Sequence, residues 1–442
     1  MRNEKCKCLN EKWAAPSFCG VQELSVTKTF GVRRHFSFLI FISHLSFLIS
    51  HLAKVSHFSF LISHFSLIFF LFFPCQLQAQ KKELSQARTY IKSGKYAEAD
   101  RLLTPLLKDS ANRQNKRICL ALYDAVHGIY SQGNEKLYLK QQYDTAAFFN
   151  TVMRMVNIAE RLDSLAPEHR KSLASQQNNY RVNLFNGGTF FVRKSKWQEA
   201  FNFFEAYIDC ARQPLFETYH YDSLDTRMPA AGYWATYCGY MMKDPVKTLR
   251  YRDLALRDST KGDFTLQFIA EARLWLKDDE LYVQTLQEGF RRYPLFPYFF
   301  PRLFDKYTSR GKYDSALAIA DSALAVNDSS ELFLFAKSTT LLRLGRYAES
   351  IKIGERLILL NDSLPEPYFN VGTAYINIAD QLDTKRERKL VRQAYQSAKP
   401  YMERYRAMLP EKREKWGPAL YRIYLNLNMG RQFDEIDRLL KN

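Results

Sequence analysis

From Gln80 to the C-terminal end, apolar residues recur three and four positions apart, and strand-like alternation is nearly absent. Short Gly, Asp-Ser, Asn-Asp and Pro elements interrupt the pattern, which predicts a string of helices joined by tight turns. The first eighty residues differ. Residues 36–73 are apolar apart from Ser, His and one Lys, with Ser-His pairs at 43/44, 50/51, 56/57 and 63/64. A metal stripe of His44, His51, His57 and His64 fails on geometry. Residues seven apart on a helix are separated by about 10.5 Å along its axis, whereas the ligands of one ion lie about 2 Å from it. The segment reads as a low-complexity repeat.

That run ends in Phe72-Phe73-Pro74-Cys75-Gln76-Leu77-Gln78-Ala79-Gln80, the shape of a secretory signal cleaved after Ala79. Signal peptides span about 15–30 residues, and no Met lies between Met1 and Met153. A start at Leu52 leaves Lys54 as a short basic region ahead of an apolar core from Phe58. Residues 1–51 are therefore read as a non-native or low-complexity extension, and 52–79 as the signal peptide. N-terminal sequencing of the native product tests this, and a peptide from residues 1–51 would refute it. The expected location is the periplasm or the exterior. The alternative is an inner-membrane anchor through residues 36–73, as a span over 58–74 or a hairpin around Lys54; spans of about 17 residues are at the short limit for crossing a bilayer. Pro74 before Cys75 disfavours lipid attachment there. Arg33-Arg34 loosely matches a twin-arginine signal, but no cofactor motif follows it.

With 442 residues the chain is too long for one compact core. Its formal charge is +18; cleavage after Ala79 leaves 56 Lys+Arg against 43 Asp+Glu. The excess is spread along the body without a basic block, which is not a nucleic-acid footprint. The run Lys385–Lys389 is mixed in sign and reads as a solvated helix face. Beyond residue 79 only Cys119, Cys210 and Cys238 remain, without a CxxC pair. They read as buried small residues, with one disulfide left open.

Four segments align with one another: Gly94-Lys95-Tyr96-Ala97-Glu98-Ala99, Ser195-Lys196-Trp197-Gln198-Glu199-Ala200, Gly311-Lys312-Tyr313-Asp314-Ser315-Ala316 and Gly345-Arg346-Tyr347-Ala348-Glu349-Ser350. Gly311 and Gly345 are 34 residues apart. On these residues the chain resembles the tetratricopeptide repeat family, whose 34-residue unit is a helix–turn–helix. The resemblance matches Gly188 and Gly372 to the small first-helix position, and Tyr96, Trp197, Tyr313 and Tyr347 to the turn aromatic. It matches Ala99, Ala200, Ala316 and Ala398 to the small second-helix position, and Pro410 to the closing proline. A bulky residue at Gly372 is expected to overpack a helix contact at a cost of about 1–3 kcal/mol.

The expected fold is all-α: a tetratricopeptide-like α-solenoid, a right-handed superhelix of eight or nine hairpins. Residues 80–262 are expected to form irregular hairpins of roughly 48 residues, with long helices such as Glu135–Arg161. Residues 263–442 are expected to form regular repeats, with an insertion near 383–396 and a capping hairpin.

Chemistry is sparse. Past residue 79 only His127, His169 and His220 remain, and none stands in HExxH or four residues from another His or Cys. No GxSxG, GxGxxG or phosphate loop occurs. No enzyme activity, cofactor or metal is expected. The resemblance instead implies a concave groove lined by first helices, with Tyr298, Asp305, Phe335, Thr339, Arg343, Phe369, Thr373 and Asn377 facing it. Leu332, Leu342, Glu366, Ile376 and Ser309 occupy adjoining groove positions. Phe335 and Phe369 stand where some members carry a carboxylate-gripping Lys, so that clamp is absent. The expected partner is a protein or peptide segment held in apolar pockets and oriented by Arg343. The alternatives are a glycan- or nutrient-binding surface lipoprotein on a repeat framework, and a helical-toroid glycoside hydrolase.

Overall fold

The computed structural model describes residues 81–441. The expectations for residues 1–79 lie outside them. The described residues contain helices and no strands, arranged as nine consecutive hairpins. In chain order these are α1 (81–92) with α2 (Tyr96–Lys108), α3 (Lys116–Tyr138) with α4 (Thr145–Leu165), and α5 (Arg170–Arg193) with α6 (Trp197–Asp209). Next come α7 (Met228–Met241), paired with the broken helix α8 (Pro245–Arg250) and α9 (Arg252–Ala255), then α10 (Gly262–Trp275) with α11 (Asp279–Arg292). The last four hairpins are α12 (Phe299–Ser309) with α13 (Tyr313–Val326), α14 (Glu331–Arg343) with α15 (Tyr347–Leu360), α16 (Pro365–Gln381) with α17 (Arg388–Met408), and α18 (Arg413–Asn426) with α19 (Gly430–Lys441). Each helix packs on its neighbours in sequence, so the buried side chains form a chain of clusters rather than one centre.

One device makes most of the turns. Gly94, Gly311 and Gly345 have φ of 72°, 67° and 74°, and Lys140, Ser195, Lys243, Lys277 and Asn428 adopt the same left-handed conformation. At Gly345 the N–H bonds Leu342 O at 3.3 Å, and the following Arg346 N–H bonds Leu341 O at 2.9 Å. The same pair recurs at Lys243 and Lys277. This double bond satisfies the last carbonyls of the preceding helix and reverses the chain. It also corrects the expected Glu135–Arg161 helix: the chain stops at Tyr138, turns through Lys140, and restarts at Thr145, where the Asp144 carboxylate accepts the Ala146 and Ala147 N–H groups.

The turns at Lys243, Lys277, Gly311 and Gly345 follow one another at intervals of 34 residues, so the regular spacing begins at Lys243. Earlier hairpins are longer because α3, α4 and α5 run to 23, 21 and 24 residues. A strap of short turns over residues 210–227 adds to the third. In the eighth hairpin, α16 and α17 lengthen to 17 and 21 residues around the loop 382–387.

Ala99, Ala200, Ala316 and Ala398 are fully buried. The turn aromatics reach forward to the next hairpin: the Tyr96 ring lies on Gly128 of α3, Trp197 meets Tyr237 of α7 edge-on at 5.7 Å, and Tyr347 joins Val371 and Ala374 of α16. Gly188 packs beneath the Phe204 ring, and Gly372 lies against Met402. Pro410 follows the end of α17. Cys119, Cys210 and Cys238 are buried free thiols, which closes the open disulfide question for these three.

The strap is tied down by a buried ion pair. Arg181 of α5 lies between the rings of Tyr207 and Tyr221, 3.7 Å from each centroid. Its guanidinium donates to the Asp225 carboxylate at 2.5 Å and to Tyr207 O at 3.0 Å, and the Tyr207 hydroxyl donates to Asp225 at 2.6 Å. Burial pushes the Asp225 carboxyl up, but the hydrogen bonds from Tyr207, Arg181 and the Arg227 main chain together hold it below its ordinary value.

Candidate partner-binding groove

The 34-residue phase carries equivalent positions onto successive first helices. One row reads Tyr237, Glu271, Asp305, Thr339 and Thr373, on α7, α10, α12, α14 and α16. A second row, one turn further on, reads Met241, Trp275, Ser309, Arg343 and Asn377. Five helices thus present matched side chains to one face.

Four of the groove residues expected from sequence meet in one concavity. Asp305, Ser309, Thr339 and Arg343 line a recess of about 570 Å³, together with Phe304, Thr308, Tyr313 and Thr340. Asp305 and Arg343 are exposed, and neither is in a salt bridge among the described residues. Thr339 is fixed from behind, its hydroxyl accepting from buried Asn370 Nδ2 at 3.0 Å. The recess therefore offers an unpaired acid, an unpaired guanidinium and a wall of hydroxyls on a fixed support.

Other expected residues lie elsewhere. Tyr298 is not presented to the groove. It is 6% exposed, its hydroxyl donates to Glu271 Oε1 at 2.9 Å, and Arg302 covers its ring at 3.9 Å. Burial first, then the neighbouring Glu271, pushes its hydroxyl far above the usual phenol range. Phe369 packs on Tyr405 of α17 at 5.1 Å, with Lys415 of α18 over its ring, and so fills the joint of α16, α17 and α18. Ile376 is buried for the same reason. Phe335, Thr373 and Asn377 are half-buried and Leu332 is 48% exposed.

The aromatic face that the sequence placed at Phe335 and Phe369 lies three hairpins upstream. Tyr240 stacks on Phe268 at 4.5 Å and on Trp275 at 5.7 Å, with ring planes within 26° and 19°. Tyr237 adjoins Phe268 at 5.6 Å. Tyr237, Tyr240 and Trp275 are half-buried and occupy the register positions of Asp305, Thr308 and Ser309. The signal was present as the 34-residue step back from Asp305 to Glu271 and Tyr237. It was hidden because Lys243 and Lys277, rather than glycine, make the turns that set the register.

A polar seam joins α3 to α5. Tyr180 Oη lies 2.9 Å from His127 Nε2, Gln176 Oε1 accepts from Tyr123 at 2.8 Å, and Asn183 donates to Tyr130 at 3.2 Å. Burial lowers the His127 pKa from its ordinary value near 6.5. Its folded pKa therefore lies below the unfolded one, so stability from neutral His127 is present above pH 6.5 and is lost as pH falls through the folded pKa. Melting temperatures taken from about pH 7.5 down to about pH 5 should fall more steeply for the native chain than for His127→Gln. Parallel curves would remove His127 as the cause.

Among the described residues no group of three or more His, Cys, Asp or Glu side chains is placed to hold a metal ion. No described helix is long and apolar enough to cross a membrane.

The 34-residue hairpin, left-handed turn, buried small residues and forward-reaching turn aromatic define an all-α tetratricopeptide-like solenoid, a helical-repeat scaffold. No protein-family model matches the chain, and no curated protein matches it. Among solved structures it is similar to the C-terminal part of a TPR repeat-containing protein from Cytophaga hutchinsonii, at 12% identity and a TM-score of 0.38 over 57% of this chain and 92% of that one. It is also similar to yeast Tom70, at 12% identity and a TM-score of 0.30 over 81% and 83%. A third is YrrB, described as a TPR protein with an unusual peptide-binding site, at 12% identity and a TM-score of 0.24 over 55% and 92%.

Proposed function

We propose that this chain is a non-catalytic docking scaffold of the bacterial cell envelope, holding a segment of a partner protein along the first-helix face from α7 to α14. The observation that carries the reading is the recess in which Asp305 and Arg343, from adjacent first helices, stand unpaired among hydroxyl groups. Unpaired charges of both signs on a fixed support select a segment that carries a cation and an anion in register, since a mismatched segment leaves one charge facing its like. The aromatic face of Tyr240 and Trp275 supplies apolar area alongside, the usual source of affinity at such surfaces. The envelope location rests on the apolar run and the Leu-Gln-Ala ending before Gln80.

The test is site-specific photo-crosslinking in the native host. A crosslinker at Ser309 is expected to capture one defined protein, and the same crosslinker at exposed Leu359 is not. Adding Asp305→Asn and Arg343→Gln should reduce capture at Ser309 by about tenfold or more, the loss expected for two charge-assisted contacts. Equal capture from both positions, or capture indifferent to the double substitution, would refute the groove. Recovery of a mature chain beginning at Gln80 from the envelope fraction would support the location, and an intact N-terminus in the cytosol would refute it.

A further inference from the structure

The strap over residues 210–227 does more than cap the third hairpin. With α7–α9 it encloses a second recess of about 370 Å³, separate from the groove residues. Its floor is apolar, made by Ile208, Met228 and the Tyr251 ring, all buried, with half-buried Leu254 beside them. Arginines stand on its rim. Arg257 has no carboxylate partner and reaches only the Asp222 main-chain carbonyl, at 3.4 and 3.5 Å. Arg212 is 75% exposed and comes no closer than 3.9 Å to Asp209. Arg250 is already held by Glu205 at 2.8 Å, and the Asp253 carboxylate on the rim is 87% exposed and touches Arg252 at 3.4 Å. Asp222 and Asp253 place two carboxylates on the lining against the three arginines Arg212, Arg250 and Arg257. Two guanidinium groups with unsatisfied donors therefore overlook an apolar floor.

We propose that this recess binds a small anionic amphiphile, a carboxylate or phosphate head on a short apolar body. The fork of an arginine matches both head groups. The volume lies at the lower end for small-molecule sites, which limits the body to a short chain or a single ring. The Arg181 network holds the strap in place before any ligand arrives, so binding need not include ordering it. The site is absent from a regular repeat, because it needs both the inserted strap and the break between α8 and α9 at Tyr251.

The experiment is calorimetric titration of the full chain with octanoate, octyl phosphate and inorganic phosphate in parallel. At least one of the two amphiphiles is expected to bind saturably at a single site, and inorganic phosphate at the same concentrations is not. Arg257→Gln and, separately, Arg212→Gln should each weaken that binding by about tenfold, while Arg343→Gln in the groove leaves it unchanged. Both rim arginines are exposed, so their variants should melt as the parent does. Failure of both amphiphiles to saturate, binding indifferent to Arg257 and Arg212, or inorganic phosphate binding as tightly as the amphiphiles would each overturn the assignment.

Discussion

Gly239→Ala is expected to destabilise the chain by about 2–3 kcal/mol, although alanine is the better helix former by about 1 kcal/mol. A Cβ at Gly239 of α7 would sit against the backbone of α8, 2.7 Å from the Lys247 carbonyl carbon and 2.7 Å from Thr248 Cα, and closer still to Thr248 N. Backbone cannot swing aside as a side chain can. Nor can α8 retreat, because Asp244 caps it directly after the Lys243 turn and its side chain accepts the Lys247 N–H at 3.0 Å. Gly232, two turns earlier on the same face of α7, meets the Ala255 N and Leu254 carbonyl carbon in the same manner. Gly372 makes the informative contrast. The three atoms nearest its added Cβ all belong to Met402, with Cε and Cγ at 2.9 Å, and methionine is the most adaptable apolar side chain. Gly372→Ala should therefore cost less than Gly239→Ala. Urea denaturation followed by circular dichroism, with hydrogen exchange over residues 232–256 to localise the loss, measures both. Gly239→Ala within about 0.5 kcal/mol of the parent would mean that the α7–α8 approach is looser than described.

Arg181→Met should cost about 3–5 kcal/mol, the usual penalty for removing one member of a buried ion pair. The side chains of Arg181 and Asp225 are 6% and 13% exposed, so the orphaned carboxylate would stay out of water while the strap is closed. The chain can relieve that penalty only by releasing the strap. Limited proteolysis should accordingly cut within residues 210–227 of the variant well before it cuts the parent. Combining Arg181→Met with Asp225→Leu should recover part of the loss, because no unpaired charge then remains. Full additivity of the two substitutions would show that they do not act as a pair.

Much of the architecture was legible from residue spacing. Gly311 and Gly345 are glycines because their backbones are left-handed, and the aromatic two residues on marks the start of the next helix. Lys243 and Lys277 occupy the same conformation without glycine, at a local cost the repeat tolerates, and so left no mark in the sequence. Their concealment shortened the apparent regular region and hid the row running from Tyr237 to Thr373. The long helix expected over Glu135–Arg161 failed for a similar reason: apolar periodicity continues across a turn made by Lys140, and only the Asp144-Thr145 pair signals a restart.

The groove was half legible. Asp305, Ser309, Thr339 and Arg343 do share a recess, since the repeat phase alone aligns them. Phe369 and Tyr298, expected on the same groove at other phases of the repeat, serve the interior. Whether a half-apolar helix position faces a partner or the interior depends on what the neighbouring helix offers, here Tyr405 in one case and Glu271 in the other.

Period, helix content and the sites of most reversals were written in the chain itself, because they follow from local spacing and from the backbone freedom of a few residues. The two recesses, the Arg181 tie and the approach of Gly239 to the α8 backbone were not. Each joins residues from separate helices or turns, and such meetings depend on how far one element can approach another, which no local pattern encodes.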